Sequence, residues 1–157
     1  MSVESRLTEL GLELPEPPRP VASYVPVAVS GALAFVSGQV PMSEGALMWK
    51  GRLGEDLDVP AGAEAARRCA LQALSALRDA LGSLDRISRV VKVTVWVASV
   101  DGFTEQPQVA NGASDLLVEV FGEAGKHARA AVAAPVLPLG SPVEVELVVE
   151  VRLPPQG

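Results

Sequence analysis

One positively charged side chain lies in a segment that is otherwise small and apolar. Arg129 interrupts the segment Ala128–Ala134, in which every other residue is alanine or valine. A guanidinium offers paired N–H donors that match the two oxygens of a carboxylate, so Arg129 is a candidate receptor for an anionic substrate. The competing interpretation is a charge at the end of a strand that is hydrated by solvent.

Three glutamates alternate with valines in the last predicted strand. Glu144, Glu146 and Glu150 fall on one face of it, because side chains alternate along a strand. Such a row is typical of the hydrated face of an edge strand. If that face instead closes an interface between subunits, one of these carboxylates can position and deprotonate a water molecule.

The remaining candidates are single side chains. Ser37 and Gly38 end a predicted strand, where glycine allows a ligand to approach the backbone, although a plain turn explains them equally. We place Tyr24 inside a strand, as a packed aromatic residue or a catalytic acid. His127 is interpreted as a surface histidine rather than a general base.

Composition excludes several classes of protein. The 157 residues fit one domain, and a net charge of −6 argues against a general nucleic-acid binder. The single cysteine, Cys69, cannot form an internal disulfide or a thiolate metal cluster, and the single histidine excludes a site with two imidazoles. No Walker loop or dinucleotide fingerprint is present. We therefore expect chemistry without a metal or a cofactor.

The sequence also bears on location. The first residues lack the basic and apolar regions of a secretory signal, and no apolar run reaches the length of about 18 residues that a membrane span needs. We expect a cytoplasmic protein that does not enter the membrane.

Hydrophobic spacing predicts the elements that must position these residues. We expect a short helix in residues 1–10 and an extended proline-rich arm to residue 20, followed by a single domain over residues 21–157. Helices are predicted at Ala61–Leu81 and Gln106–Phe121. Strands are predicted at Val21–Val29, Leu33–Ser37, Ala46–Leu53, Ile87–Val100, Arg129–Val136 and Val143–Leu153.

This order predicts an α+β fold, with a mixed six-stranded sheet and two main helices on one face. Two helices cannot cover both faces of such a sheet, yet its strands are apolar on both faces. We therefore predict an oligomer in which the open face packs against other copies.

Four blocks of the sequence together form a recognisable pattern. They are Phe35-Val-Ser-Gly-Gln-Val-Pro41, residues 113–125, His127-Ala-Arg-Ala-Ala-Val132 and Val143-Glu-Val-Glu146. These blocks resemble the Rid family, which is also called YjgF-like and is known as endoribonuclease L-PSP. The resemblance covers nearly the whole chain after about residue 20, and the proline-rich arm and the Asn111–Asp115 block are similar to a branch of slightly longer members.

The resemblance implies a chorismate-mutase-like fold and a homotrimer with clefts between subunits. It also implies hydrolysis of small 2-imino or 2-enamino acids to 2-keto acids and ammonia, with no cofactor. By motif position, Arg129 would bind the substrate carboxylate and Glu144 would handle water. Tyr24, Ser37 and Asn111 would line the cleft.

The sequence departs from the shorter members of the family at one position. Ala131 stands where those members commonly have a cysteine, which changes the wall of the pocket. Two other functions stay open, namely RNA cleavage, which the family name suggests, and a binding module that senses a small carboxylate without catalysis. The net charge of −6 disfavours nucleic acid as a partner.

Overall fold

The computed structural model describes residues 1–155. The helices are α1 (Val3–Glu9), α2 (Val59–Leu81) and α3 (Gln106–Phe121). The strands are β1 (Val27–Ser30), β2 (Leu33–Gln39), β3 (Met42–Ser43), β4 (Ala46–Leu47), β5 (Ile87–Ala98), β6 (Ala128–Ala134) and β7 (Val143–Val151). The bounds of α3 agree with the prediction, and α2 begins two residues earlier than predicted.

Five strands form the main sheet, in the spatial order β1–β2–β7–β5–β6. Neighbouring strands are antiparallel except β5 and β6, which run parallel. The prediction of a mixed α+β fold is confirmed, but the prediction of six strands is wrong. β3 and β4 pair only with each other, because Glu44 and Gly45 adopt φ of 50° and 80° and turn the chain back on itself.

α2 and α3 pack side by side on one face of the sheet, as predicted. α2 begins at the Asp58 cap, whose side chain accepts a hydrogen bond from the backbone N–H of Ala61 at 2.9 Å, and it ends at Gly82, which has a φ of 82°. The two helices approach closely because a Cβ at Gly112 of α3 would overlap the carbonyl oxygen of Ala63 in α2.

The core lies between these helices and the sheet. β5 and β7 contribute alternate valines that are fully buried, such as Val93, Val95, Val143 and Val145. α2 contributes five buried alanines to the same core. The low aromatic content therefore corresponds to a core of many small aliphatic contacts.

No helix within residues 1–155 packs on the opposite face of the sheet, which we call the open face. On it Phe35, Trp96 and Val132 are 45%, 37% and 38% exposed. β7 is the central strand and not an edge strand, because it pairs with β2 on one side and β5 on the other. The row of glutamates therefore lies in the middle of the open face.

The N-terminal segment packs against the rest of the chain. Leu7 of α1 is 3% exposed and belongs to the core, and the backbone N–H of Val3 donates to the Asp85 carboxylate at 2.6 Å. Further along, the Ser75 hydroxyl of α2 donates to the carbonyl oxygen of Pro15 and holds the proline-rich arm. Across residues 1–155, no helix has both the length and the apolar character needed to cross a membrane.

Candidate active site

Arg129 lies near the start of β6, at the edge of the sheet. It is in register with Val93, which is fully buried, so its side chain leaves the sheet on the helix-covered face. There its Nη1 donates to Asn111 Oδ1 at 2.8 Å and to Ser114 Oγ at 3.2 Å, both in α3. No carboxylate of residues 1–155 forms an ion pair with Arg129. Its positive charge is therefore available to an external anion.

Ser114 also contacts the single histidine of the chain. Ser114 Oγ lies 2.9 Å from His127 Nε2, and His127 Nδ1 lies 2.6 Å from the carbonyl oxygen of Gly125. His127 was interpreted as a surface histidine, and the structure leaves its ring half-buried between α3 and the turn at Gly122–Gly125.

Glu144 lies on the open face, in register with Trp96 of β5. A Cβ at Gly38 would overlap Glu144 Oε1, so the missing side chain at position 38 makes room for the carboxylate. Burial raises the pKa of Glu144, and the neighbouring Glu146 carboxylate raises this pKa further. A carboxylate with a raised pKa is a stronger base toward water than an ordinary glutamate.

Tyr24 precedes β1, so the prediction that it lies inside a strand is wrong. Pro26 has no N–H to donate to a ladder, and pairing with β2 therefore begins at Val27, opposite Val36. Tyr24 is 54% exposed. With Gly38 and the proline-rich arm it lines a cavity of about 290 Å³.

Ser37 connects the Tyr24 segment to the end of β2. Its Oγ donates to the carbonyl oxygen of Val25 at 2.7 Å, and its backbone N–H donates to the carbonyl oxygen of Pro26 at 2.9 Å. These two bonds fix the backbone just after Tyr24. In this chain, the hydroxyl of Ser37 therefore positions the tyrosine segment.

The candidate residues fall into two groups. The cationic group is Arg129 with Asn111, on the helix-covered face at the β6 edge. The acidic group is Glu144 with Ser37 and Tyr24, and Gly38 connects its members. β5 separates β6 from β7, so the strands that carry Arg129 and Glu144 lie about 10 Å apart, and the two side chains point to opposite faces. One chain therefore does not bring the two groups together on one face of the sheet.

Ser114 belongs to the cluster around Arg129 but was not among the residues predicted from the sequence. The available signal is spacing, because Ser114 follows Asn111 by three residues and so lies on the same side of α3. His127 precedes Arg129 by two residues, which places both on the same side of the chain as it enters β6.

A five-stranded mixed sheet with two helices on one face, an exposed arginine at its edge and a half-buried glutamate on its open face defines a small α+β protein. The chain belongs to the family described as "YjgF/chorismate mutase-like, putative endoribonuclease", which matches residues 4–151. The resemblance found in the sequence is confirmed.

Similar proteins come from bacteria and a protozoan. Protein TCP17 of Trypanosoma cruzi is 49% identical over 151 residues, covering 96% of this chain and 94% of TCP17. The crystal structure of Atu1372 from Agrobacterium tumefaciens, a protein of unknown function, has 46% identity and a TM-score of 0.89 and covers 96% of this chain and 92% of its own. The structure of a "putative endoribonuclease" from Shewanella oneidensis has 39% identity and a TM-score of 0.92, with 96% and 100% coverage.

Proposed function

We propose that the protein hydrolyses small 2-imino or 2-enamino acids to 2-keto acids and ammonia. The observation that carries this proposal is Arg129, an arginine held by Asn111 and Ser114 with no carboxylate partner within residues 1–155. A guanidinium in this state is suited to a carboxylate, which it binds with two parallel hydrogen bonds. The family membership and Glu144, with its raised pKa, supply the second support.

The reaction follows from these two groups. Arg129 binds the substrate carboxylate and holds the protonated imine in place. As the oxygen of a water molecule bonds to the imine carbon, the C=N π electrons move to nitrogen and Glu144 accepts a proton from that water. The product of this step is a neutral carbinolamine, and Glu144 is protonated.

The carbinolamine then breaks down with the same carboxyl group. Glu144 returns its proton to the nitrogen, and the C–N bond breaks as the hydroxyl proton passes to Glu144 and the C=O bond forms. Ammonia leaves and takes up the proton from Glu144, which restores the carboxylate. The sum is one iminium and one water converted to one keto acid and one ammonium, without a cofactor.

We place this site between subunits of a homotrimer. Arg129 of one copy and Glu144 of the next would meet in each cleft, because one chain holds them on opposite faces of the sheet. A cyclic trimer joins unlike surfaces of neighbouring copies and repeats the same cleft three times. The apolar side chains Phe35, Trp96 and Val132 of the open face support such packing.

The test uses imines that a second enzyme generates in the assay mixture. A pyridoxal-phosphate dehydratase generates 2-iminobutanoate or 2-iminopropanoate, and semicarbazide traps what remains. The wild type should lower the trapped product, and Arg129→Ala should reduce kcat/KM by about 30- to 1000-fold, which corresponds to about 2–4 kcal/mol of lost transition-state binding. Glu144→Gln should also lose activity, whereas Arg52→Ala, which removes a surface arginine paired with Glu55, should not. A wild type that behaves like buffer would refute the proposal.

RNA cleavage is the alternative that the names of similar proteins support. The net charge of −6 opposes it, since RNA binding draws most of its strength from lysine and arginine against phosphate. RNA hydrolysis by the purified chain that is abolished in His127→Ala would favour this alternative. Thermal stabilisation by 2-keto acids without turnover of any imine would instead favour a carboxylate-binding module.

A further inference from the structure

One terminal nitrogen of the Arg129 guanidinium, Nη1, already donates hydrogen bonds within the chain. Nη1 carries two hydrogens, and the two bonds to Asn111 Oδ1 and Ser114 Oγ use both of them. A bidentate carboxylate can meet a guanidinium on the edge formed by Nη1 and Nη2, or on the edge formed by Nε and Nη2. With Nη1 occupied, only the Nε–Nη2 edge offers two parallel donors.

Ser114, one of the two residues that accept from Nη1, is itself oriented by His127. The carbonyl oxygen of Gly125 can only accept, so His127 Nδ1 carries the proton in the neutral ring. His127 Nε2 then accepts from the Ser114 hydroxyl at 2.9 Å. With its proton directed to the histidine, the Ser114 oxygen turns a lone pair toward Arg129 Nη1, which lies 3.2 Å away.

We infer that His127 and Ser114 are positioning residues that fix Arg129 so that it receives a carboxylate on its Nε–Nη2 edge. The continuous chain of hydrogen bonds from Gly125 through His127 and Ser114 to Arg129 carries this inference. It rests on the anion-binding part of the proposed function. Beyond that function, the inference specifies which edge of the guanidinium binds the carboxylate. It also assigns two residues that act through Arg129 without touching the substrate.

The arrangement also selects the shape of the ligand. Two parallel donors on one edge match a planar group with two oxygens, such as the carboxylate of a 2-keto or 2-imino acid. A spherical anion such as chloride can meet only one donor well. We therefore expect 2-oxobutanoate to bind and chloride at the same concentration not to displace it.

The first test is nuclear magnetic resonance of the ¹⁵N-labelled full chain. Because His127 is the only histidine, its ring nitrogens give one pair of signals. His127 should carry a proton on Nδ1 and none on Nε2, and 2-oxobutanoate should shift the Nε–H signal of Arg129. A proton on Nε2, or binding that leaves the Arg129 Nε–H signal in place, would overturn the inference.

The second test compares variants by their affinity for 2-oxobutanoate. Ser114→Ala and His127→Ala should each raise Kd by about two- to tenfold, the contribution of one hydrogen bond. His127→Gln should recover affinity to within about twofold of the wild type, since its side-chain oxygen can accept from Ser114. Lys126→Ala, a neighbouring change that removes only an exposed pair with Glu123, is the matched control.

Turnover adds a readout that a general loss of structure would not produce. In each weakened variant KM should rise by the same factor as Kd while kcat stays within about twofold, because the carboxylate is held equally before and during the reaction. A fall in kcat with an unchanged KM, or no rescue by His127→Gln, would overturn the positioning role.

The outcome also separates this inference from the proposed function. If no imine is turned over but 2-oxobutanoate binds and the variants weaken it as expected, the inference holds and the deaminase proposal fails. If imines are turned over but the His127 and Ser114 variants bind like the wild type, the proposed function holds and the inference fails. Absence of any 2-oxobutanoate binding to the wild type overturns the inference.

Discussion

Two inactive variants of this protein should restore one another when their chains are mixed. Arg129→Ala removes the cationic group and keeps Glu144, whereas Glu144→Gln removes the base and keeps Arg129. In the proposed trimer, each cleft would take Arg129 and Glu144 from different subunits, because these side chains leave the sheet on opposite faces of one chain. A mixed trimer can therefore contain clefts in which both residues are native.

The size of the recovery follows from counting. When equal amounts of the two chains assemble at random, one half of the clefts take their arginine from a chain with native Arg129. Independently, one half take their glutamate from a chain with native Glu144. About one quarter of the clefts in a cyclic trimer are then complete, and the mixture should reach about one quarter of wild-type kcat at unchanged KM.

The assay is clearance of 2-iminobutanoate, measured by semicarbazide trapping after joint refolding or co-expression of the two chains. The control mixes each variant separately with the double variant Arg129→Ala, Glu144→Gln, which supplies no complete cleft. That mixture should remain inactive, as should the two single variants mixed without exchange of subunits.

A mixture that shows exchanged subunits but no activity above the single variants would refute the reasoning. It would mean that Arg129 and Glu144 act within one chain, or that one of them is not needed. Exchange itself is measured with one chain tagged and the other untagged, so that failure to mix is not mistaken for a failure of the site. A sedimentation mass near that of a monomer would refute the trimer on which the count depends.

Three further variants test the site and the fold. Glu144→Gln should raise Tm near neutral pH and not at about pH 4, with Glu150→Gln as the control. The reason is that protonated Glu144 contributes its full stability below its ordinary pKa of 4.5, and this stability is lost as pH rises through the raised pKa of Glu144 in the folded chain. Gly38→Ala should lower kcat at least about tenfold and leave the affinity for 2-oxobutanoate unchanged, because the added methyl displaces Glu144 and leaves Arg129 in place. An unaltered kcat would show that the position of the Glu144 carboxylate is unimportant. Gly112→Ala should lower the free energy of unfolding in urea by about 1–3 kcal/mol, because the added methyl overlaps the α2 backbone. A free energy of unfolding equal to that of the wild type would contradict the close contact between α2 and α3.

The helices were readable from the sequence because their signals are local. The spacing of apolar residues and the caps at Asp58 and Gly82 lie within one or two turns of the helix they define. The order of strands depends instead on pairing between distant segments, such as β2 with β7. For this reason the row of glutamates suggested an edge strand although β7 is central, and β4 was counted in the wrong sheet.

The candidate site was likewise predictable only where its signals are local. Arg129 and Glu144 were selected by residue type and by resemblance, but the face on which each lies depends on its partner strands. Tyr24 was misplaced because the effect of Pro26 on pairing outweighed the strand-like composition before it. The link from Ser114 to His127 needs the turn at Gly122–Gly125, which no periodic pattern predicts.

The central position of β7 has a consequence for the order in which the chain folds during synthesis. β1 and β2 emerge from the ribosome early, and β5 and β6 follow, but within the sheet neither pair is hydrogen-bonded to the other until β7 joins them. Until residues 143–151 have emerged, the nascent protein holds two separate partial sheets with exposed strand edges, which are surfaces that favour aggregation. Closure of the sheet is therefore a late event that depends on long-range contacts, and such contacts form slowly. Truncations that remove β7 should leave a chain that depends on chaperones.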